Sequence, residues 1–541
     1  MEIEVKGHSG CPIDIVRENN DLFIYKSSYD KCYLDRLSRQ AKKQEEAFRQ
    51  EYQHIRIPEI FNVTQDDDHV TIKMEYVYSR NFIEYFESAG FEQVDYFIKA
   101  LVLFIEKELK ASPLQLVQTS ITLEKFEDVK IKIANNSLLS DDDEIKKLLI
   151  ESEKRFLNFG KQRTIKIPLG ICHGDLTFSN ILFNGNNYYL IDFLDSFIES
   201  PLLDIVKIRQ DSSFLWSQLM YVKQYDQLRL KIICNKIDQE IDSYFHKYEW
   251  YRDYYEIYQL MNLLRILQYA KEKNVVDYLK DGISNLLNKR TQTTCSPELR
   301  YVIQSFEPFS LIVPAAADNP LTPDILPYVF SLDENGIMLC LKAILGLNLD
   351  IFDNIYITIL RKHAEKFDID EMMRLQFNRL AMQNVHLVIL DNPTSSQTET
   401  VYQTIKKTGL KGGFFIKDAD GYFKGIVRKE NGIAIYPLEK MTMVNPQNKS
   451  YVAVDDMNCI TNVIEKRIIN HYFNAGGSCF EDSNEFCELY ERLSKIQSNV
   501  YVSHIIYCML LSKKKFRPIE TEDFIDWGNR SLYEYYSKSR K

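Results

Sequence analysis

Two hydrophobic periods alternate along this chain, and the switches between them mark out its parts. Period-two alternation runs through DLFIYKSS (21–28) and HVTIKMEYV (69–77), which predicts strands with one buried face. Asp66, Asp67 and Asp68 lie between apolar runs and predict a hairpin turn. Between the two strands the period lengthens: Leu37, Ala41, Gln44 and Phe48 fall on one helix face, with Glu45 beside that face and Glu46 pointing away. Residues 90–170 are mostly helical in pattern. Within them Ser140-Asp141-Asp142-Asp143 precedes Ile145, Leu148 and Leu149, an N-cap with acidic residues in the first turn. Helical periodicity returns after Asp204 and runs to about residue 290. Residues 291–308 break it and predict a linker with a short helix. From Ser310 onward apolar strands alternate with helical stretches: SLIVP, FDNIYITIL (352–360), VHLVIL (385–390), a helix over 394–407, then GGFFIKDADGYF (412–423). Alternation of this kind predicts a mainly parallel sheet with a ligand site at its strand ends. The expected organisation is a β-rich lobe over 1–80, a helical lobe over 81–290, a linker over 291–308 and an α/β domain over 309–541.

Composition narrows the function classes. A chain of 541 residues is too long for one core, which fits two or three domains. The formal charge of −10 is modest and dispersed, so no nucleic-acid-binding surface is expected. The ten cysteines show no C-x-x-C and no Cys/His ligand spacing, which argues against a disulfide framework and a zinc site. No basic and apolar leader and no membrane-length apolar run is visible, so the expectation is a cytoplasmic protein without membrane insertion. Richness in Tyr, Asn, Ile and Lys points to an AT-rich bacterial genome.

The chemistry concentrates in residues 172–195, CHGDLTFSNILFNGNNYYLIDFLD. His173, Gly174, Asp175 and Asn180 form H-G-D-x-x-x-x-N, and Asp192 follows at the end of an apolar strand. Phosphoryl transfer needs a carboxylate that orients the acceptor hydroxyl and oxygen ligands for Mg²⁺ on the nucleotide phosphates. Asp175 fits the first role, and Asn180 with Asp192 fits the second. The run resembles the aminoglycoside phosphotransferase and choline kinase family, relatives of the protein kinases. Pro201-Leu202-Leu203-Asp204-Ile205 stands where that family has P-x-x-D-L. The resemblance implies a bilobal α+β kinase-like fold, ATP as phosphoryl donor, and a catalytic set of Asp175, Asn180, Asp192 and His173, with His173 bracing the loop. It implies that Lys26, at the end of LFIYK, bridges the nucleotide phosphates with Glu45 as its partner. It places the adenine hinge at Met74-Glu75-Tyr76-Val77, so that Glu75 and Val77 join the nucleotide-binding set. Gly7, Ser9 and Gly10 are candidates for a phosphate-covering turn. Asp195 holds a second metal or sits on the surface. Tyr251, Tyr254, Tyr255 and Tyr258, near Trp250, form either an aromatic side packed in the core or a box for a quaternary ammonium.

The second half carries its own motif. Asp418 and Asp420 follow a buried strand as D-A-D, an arrangement able to bind Mg²⁺ on a nucleotide triphosphate. With Glu465-Lys466, Asn474-Ala475-Gly476-Gly477 and Phe524-Ile525-Asp526-Trp527-Gly528, the run resembles the sugar-phosphate nucleotidyltransferases of capsule and surface-polysaccharide loci. That family has the GT-A, nucleotide-diphospho-sugar transferase-like fold. The resemblance implies metal ligands at Asp418, Asp420 and Asp526, and substrate contacts at Glu465, Lys466, Asn474 and Gly476. The family's glycine-rich loop is replaced here by Ala315-Ala316-Ala317-Asp318-Asn319-Pro320, and its Pro-Lys by Pro327-Tyr328. A triphosphate would lose cationic support unless Lys417, Lys449 or Lys466 supplies it.

Three readings follow. In the first, a kinase half phosphorylates an amino alcohol or sugar hydroxyl, and the second half couples the product to a nucleotide from CTP or another NTP. In the second, the C-terminal half is a non-catalytic nucleotide-binding or docking module that meets polysaccharide-synthesis enzymes. In the third, it is a GT-A glycosyltransferase. The partners expected in common are a small-molecule acceptor and a nucleotide.

Overall fold

The computed structural model describes residues 11–221, 223–288, 308–317, 325–441 and 449–528. The chain divides into two compact units, one from residues 1–89 and 93–297, the other from 298–541 together with 90–92.

The first unit opens with an antiparallel four-stranded sheet in the order Ile13–Glu18, Asp21–Ser28, Val70–Glu75, Ile60–Gln65. Asn19 and Asn20, both at positive φ, make the two-residue turn between the first two strands, a conformation Asn tolerates well. Asp66 closes the other hairpin by accepting from the amides of Asp68 and His69. The helix Leu34–Phe48 packs on this sheet through Leu34, Leu37 and Ala41 against Val70, Ile72 and Met74. Phe48 departs from the predicted face and is 43% exposed; the buried turn ends on Gln44 and Ala47 instead.

The helical part follows with Phe91–Ala111, Thr119–Ala134, Asp143–Gly160, Pro201–Phe214, Gln227–Phe245, Glu249–Leu267 and Lys273–Asn288. Asp142 caps its helix by accepting from the amides of Glu144 and Ile145. One hairpin interrupts the stretch read as helical: Leu114–Gln118 pairs with Thr164–Pro168. Its strands are five residues each and far apart in sequence, so no local period reveals them. A short sheet of Ile55–Arg56, Asn187–Leu190 and Ile181–Asn184 flanks the H-G-D loop.

The second unit is built on a ten-stranded sheet. Four strands, Val385–Leu390, Asn354–Leu360, Ser310–Pro314 and Phe414–Lys417, run parallel, joined by crossovers as predicted. The sheet is mixed beyond them, not mainly parallel. Tyr472–Phe480 pairs antiparallel with Phe414–Lys417 and with Gly432–Pro437, and Gly421–Gly425 pairs antiparallel with Arg517–Asp526. Turns too short for a crossover helix join Phe414–Lys417, Gly421–Gly425 and Gly432–Pro437, whereas helices Ser483–Ser494 and Val502–Leu511 lead into Arg517–Asp526, which pairs parallel with Gly432–Pro437. Leu311, Val313, Ile355, Ile357, Phe415 and Phe423 fill the core beneath. Nine described cysteines are free thiols. Among the described residues no helix is long and apolar enough to cross a membrane.

Candidate active site

The loop 173–177 leaves the strand Thr164–Pro168 and enters the short 3₁₀ turn Phe178–Asn180. Its shape is set by side chains below it. Asp204, in the first turn of helix Pro201–Phe214, accepts from the amides of both His173 and Gly174. Gly174 sits at φ 86°, and a Cβ there would meet Leu194 O at 1.9 Å, so only glycine fits. His173 is fully buried. Its Nε2 lies 2.9 Å from the Ile191 carbonyl, and its Nδ1 accepts from the Asp175 amide at 3.2 Å. Burial drops its pKa to about 4, so the ring is neutral at pH 7 and bound at both nitrogens. That is a brace between the loop and the Asp192 strand.

Asp175 is thereby held with one carboxylate oxygen 3.1 Å from Lys207 Nζ and the other accepting from Asn180 Nδ2 at 3.0 Å. Asn180 Nδ2 also donates to the Asp175 carbonyl at 2.8 Å. Burial works against the Asp175 charge, but Lys207, His173 and Asn180 outweigh it and hold the carboxyl below its usual range.

Lys26 does not meet Glu45. Its Nζ donates to Asp192 Oδ1 at 2.6 Å, and Glu45 turns to Arg49, 3.7 Å away. The helix presents Gln40, Ala41 and Gln44 to the interior, which leaves Glu45 about 100° off that face. Asp192 itself adopts φ 61°, unusual for a non-glycine residue. Asn180 Oδ1 and Asp192 Oδ2 accept no hydrogen bond among the described residues, so each keeps an oxygen for a cation. Two hard oxygen ligands, completed by phosphate and water, are a donor set that fits Mg²⁺. At the hinge, the Glu75 amide is taken by the Glu59 carbonyl, and the Glu75 carboxylate accepts from the Glu59 amide. Val77 lies just past the strand, and its amide makes no hydrogen bond among the described residues.

Beyond Asp204 of the P-x-x-D motif, several residues of this site were not singled out in the sequence. Asp204, Lys207 and Asp211 lie three and four residues apart on one helix and converge on the loop; Asp211 accepts from the Phe178 amide at 2.6 Å. That spacing was a readable signal. Lys43 was not readable: it reaches across to Glu199 at 2.7 Å and to the Leu194 carbonyl at 2.6 Å. Glu108, fully buried, is pushed well up in pKa by burial and by the Asp204 carboxylate.

Residues 35–232 match the phosphotransferase enzyme family. The match covers less than half of the chain and includes the whole H-G-D loop, Asp192 and Asp204. No curated protein matches the sequence. Among solved structures, a thermostable mutant of an aminoglycoside phosphotransferase in ternary complex with ADP and hygromycin B is similar at 7% identity, over 52% of this chain and 95% of that one, TM-score 0.35. A nucleoside-diphosphate-sugar pyrophosphorylase from Vibrio cholerae RC9 is similar at 12% identity, over 42% of this chain and 99% of that one, TM-score 0.36. The inositol-1-phosphate CTP transferase from T. maritima is similar at 16% identity, over 43% and 96%, TM-score 0.34.

In the first unit Tyr251 and Tyr258 of the tyrosine stripe are buried, and Tyr254 and Tyr255 are half-buried. Tyr251 OH donates to Asp242 at 2.8 Å, Tyr258 OH lies 3.2 Å from Thr122 Oγ1, and the Arg209 guanidinium stacks over Tyr255 at 4.4 Å. A quaternary ammonium would find that ring already covered. Asp195 forms a surface ion pair with Arg39 at 2.9 Å. Gly7, Ser9 and Gly10, and Asp318 to Pro320 of the altered loop, lie outside the described residues.

In the second unit a cavity of about 320 Å³ is lined by Asp418, Asp420, Lys449, Glu465, Asn474 and Asp526, among others. Asn474 Oδ1 accepts from the amides of Gly476 and Gly477, which shapes the turn. Gly476, at φ 87°, brings its backbone so close to Asp418 that a Cβ would sit 2.7 Å from Oδ2. Burial, with Asp418 and Asp526 adding to it, raises Asp420 to about 6. Gln397 Nε2 donates to Asp418 Oδ1 at 2.5 Å, and among the described residues no group of three His, Cys, Asp or Glu side chains is arranged to hold a metal ion. Asp526 is paired with Lys449 at 2.5 Å. Glu465 accepts from Ser450 and Ser503, and Lys466 donates to Tyr501 OH at 3.1 Å. Lys417 is fully buried and donates to the carbonyls of Asp418 and Gly421, so its ammonium is spent on backbone. Of the three lysines considered as replacements for the missing loop cations, Lys449 alone is among the residues lining the cavity.

Proposed function

We propose that the chain is a small-molecule kinase fused to a nucleotidyltransferase-like unit. The first unit transfers the γ-phosphoryl group of ATP to an alcohol hydroxyl. The observation that carries this is the Asp175 carboxylate, kept ionised and oriented by Lys207 and Asn180, on a loop that His173 ties to the Lys26–Asp192 pair. Asp175 accepts the acceptor's proton as its oxygen forms a bond to phosphorus, and the bond to the β–γ bridging oxygen breaks to release ADP. Lys26 neutralises charge on the phosphates, and the Val77 amide is free to meet the adenine edge. Asn180 and Asp192 would hold Mg²⁺, which when bound offsets the charge of the phosphate oxygens.

The test is ADP release by the full-length protein with ATP and Mg²⁺ against a panel of hydroxy compounds. Asp175→Asn should cut turnover about 10²- to 10⁴-fold, the range for positioned acid–base groups. Unchanged turnover would sink the assignment.

For the second unit, two readings remain in play. Clustering of Asp420 with Asp526 supports transfer of a nucleotidyl group from CTP or another NTP, and so a place in surface-polysaccharide precursor synthesis beside its other enzymes. The commitment of Lys417 to backbone carbonyls, and of Lys449 to Asp526, favours the alternative of nucleotide binding without turnover. Calorimetric titration with CTP, paired with a pyrophosphate-release assay, separates the two.

A further inference from the structure

The acceptor side of Asp175 is built from basic residues. Helix Pro201–Phe214 contributes Lys207, and helix Glu249–Leu267 contributes Asn262 and Arg265. These line one narrow gap with Gly174, Ser196 and Phe197, and no Asp or Glu lines it. Lys207 reaches Asp175, as above. Arg265 is half-buried, with its guanidinium over the Phe197 ring at 5.2 Å. Among the described residues that guanidinium has no hydrogen bond and no ion pair. Asp175 supplies an attractive charge at longer range, and the exposed Arg36 a weaker like charge. With Asp175 already paired to Lys207, the partly desolvated Arg265 guanidinium has no hydrogen-bonded anion of its own among the described residues, and its planar fork of donors is matched to carboxylate or phosphate.

The neighbouring carboxylates are already engaged. Asp195 holds Arg39, Glu199 holds Lys43, Asp238 and Asp242 hold Arg209, and Asp204 holds the loop amides. An ammonium-bearing acceptor would meet Lys207 and Arg265 beside Asp175, and the Arg209 guanidinium already covers Tyr255.

We propose, resting on the kinase reading above, that the acceptor is a hydroxy compound bearing an acidic group, a carboxylate or a phosphate, which seats between Arg265 and Lys207. The gap is tight, about 10 Å³, so the two long side chains swing apart to admit it. The acidic group would anchor the compound while its hydroxyl points at Asp175. This excludes choline and ethanolamine as acceptors.

The experiment uses the full-length protein with ATP and Mg²⁺ and compares matched probes. D-glycerate and D-gluconate test the carboxylate, and glycerol 3-phosphate and glucose 6-phosphate test the phosphate. Glycerol, D-glucose, ethanolamine and choline are the neutral and cationic counterparts. One acidic arm should exceed its neutral counterpart in kcat/KM by about 10- to 100-fold, the range for one or two charge-assisted hydrogen bonds. Arg265→Gln should raise KM for that acidic probe about 10- to 100-fold with the KM for ATP unchanged, and Arg265→Lys should restore part of it. A merely structural role would move both KM values and the thermal midpoint. Choline, ethanolamine or a neutral sugar as the best acceptor overturns the proposal while leaving the kinase reading intact. Arg265-dependent calorimetric binding of an acidic probe without ADP release keeps the proposal of an acidic ligand and overturns the kinase reading. No binding and no turnover of any acidic probe overturns the proposal.

Discussion

Acidification should loosen the first unit through His173, by an amount the structure sets. The ring is fully buried, and burial takes its pKa from 6.5 to about 4. The unfolded chain therefore binds a proton between those values that the folded chain refuses. Stability from this group is complete above about pH 6.5 and is lost as pH falls toward 4. At about 1.4 kcal/mol per pH unit the loss is about 3 kcal/mol, most of it by pH 4.5. Asp204 and Asp211, each raised to about 6, work in the opposite sense, because their protonated forms suit the fold. Comparison of the parent with His173→Gln cancels their contribution to first order. Urea unfolding can be followed by Trp216 and Trp250 fluorescence in a Trp527→Phe background, since both reporters lie in the first unit. The stability advantage of the parent over His173→Gln should shrink by about 3 kcal/mol between pH 7.5 and 4. A gap that stays constant within about 0.5 kcal/mol, the usual additivity error, would refute the account of a neutral, doubly bonded ring.

Further outcomes follow from other contacts. Gly174→Ala should abolish phosphoryl transfer, because the new Cβ collides with the Leu194 carbonyl; activity within tenfold of the parent would contradict the loop geometry. Asp204→Ala strands two loop amides and should cost about 2–6 kcal/mol, read as a lowered urea midpoint in the same tryptophan assay. Lys26→Met should raise the KM for ATP at least about tenfold without changing that for the acceptor, since the lost ammonium faces Asp192 and not Lys207. In the second unit, Asp526→Asn removes one of the clustered carboxylates. CTP affinity measured by calorimetry should then change at least about fivefold if that cavity binds the nucleotide, and an unchanged value would place binding elsewhere.

Much of this protein was legible as local pattern. Strand 21–28 lies where its residue pattern put it, and strand 385–390 where its apolar run did, since both signals are carried by neighbouring residues. The cap at Asp142, the hairpin at Asp66 and the H-G-D-x-x-x-x-N loop are likewise short-range, each fixed by neighbours a few residues away. Partnerships across long stretches were not legible. Lys26 paired with Asp192, not Glu45, because helix rotation in the packed lobe decides which of five consecutive polar residues faces inward. The Gln397–Asp418 hydrogen bond, 21 residues apart, was hidden for the same reason. The mixed sheet depends on how strands of distant segments align, and alternation cannot encode direction. Residue types and their spacing alone thus determined the kind of chemistry around Asp175. Only tertiary structure decided its surroundings, by bringing Lys207 and Arg265 to one gap beside Gly174: the charge that meets a ligand is a sum over elements remote in sequence.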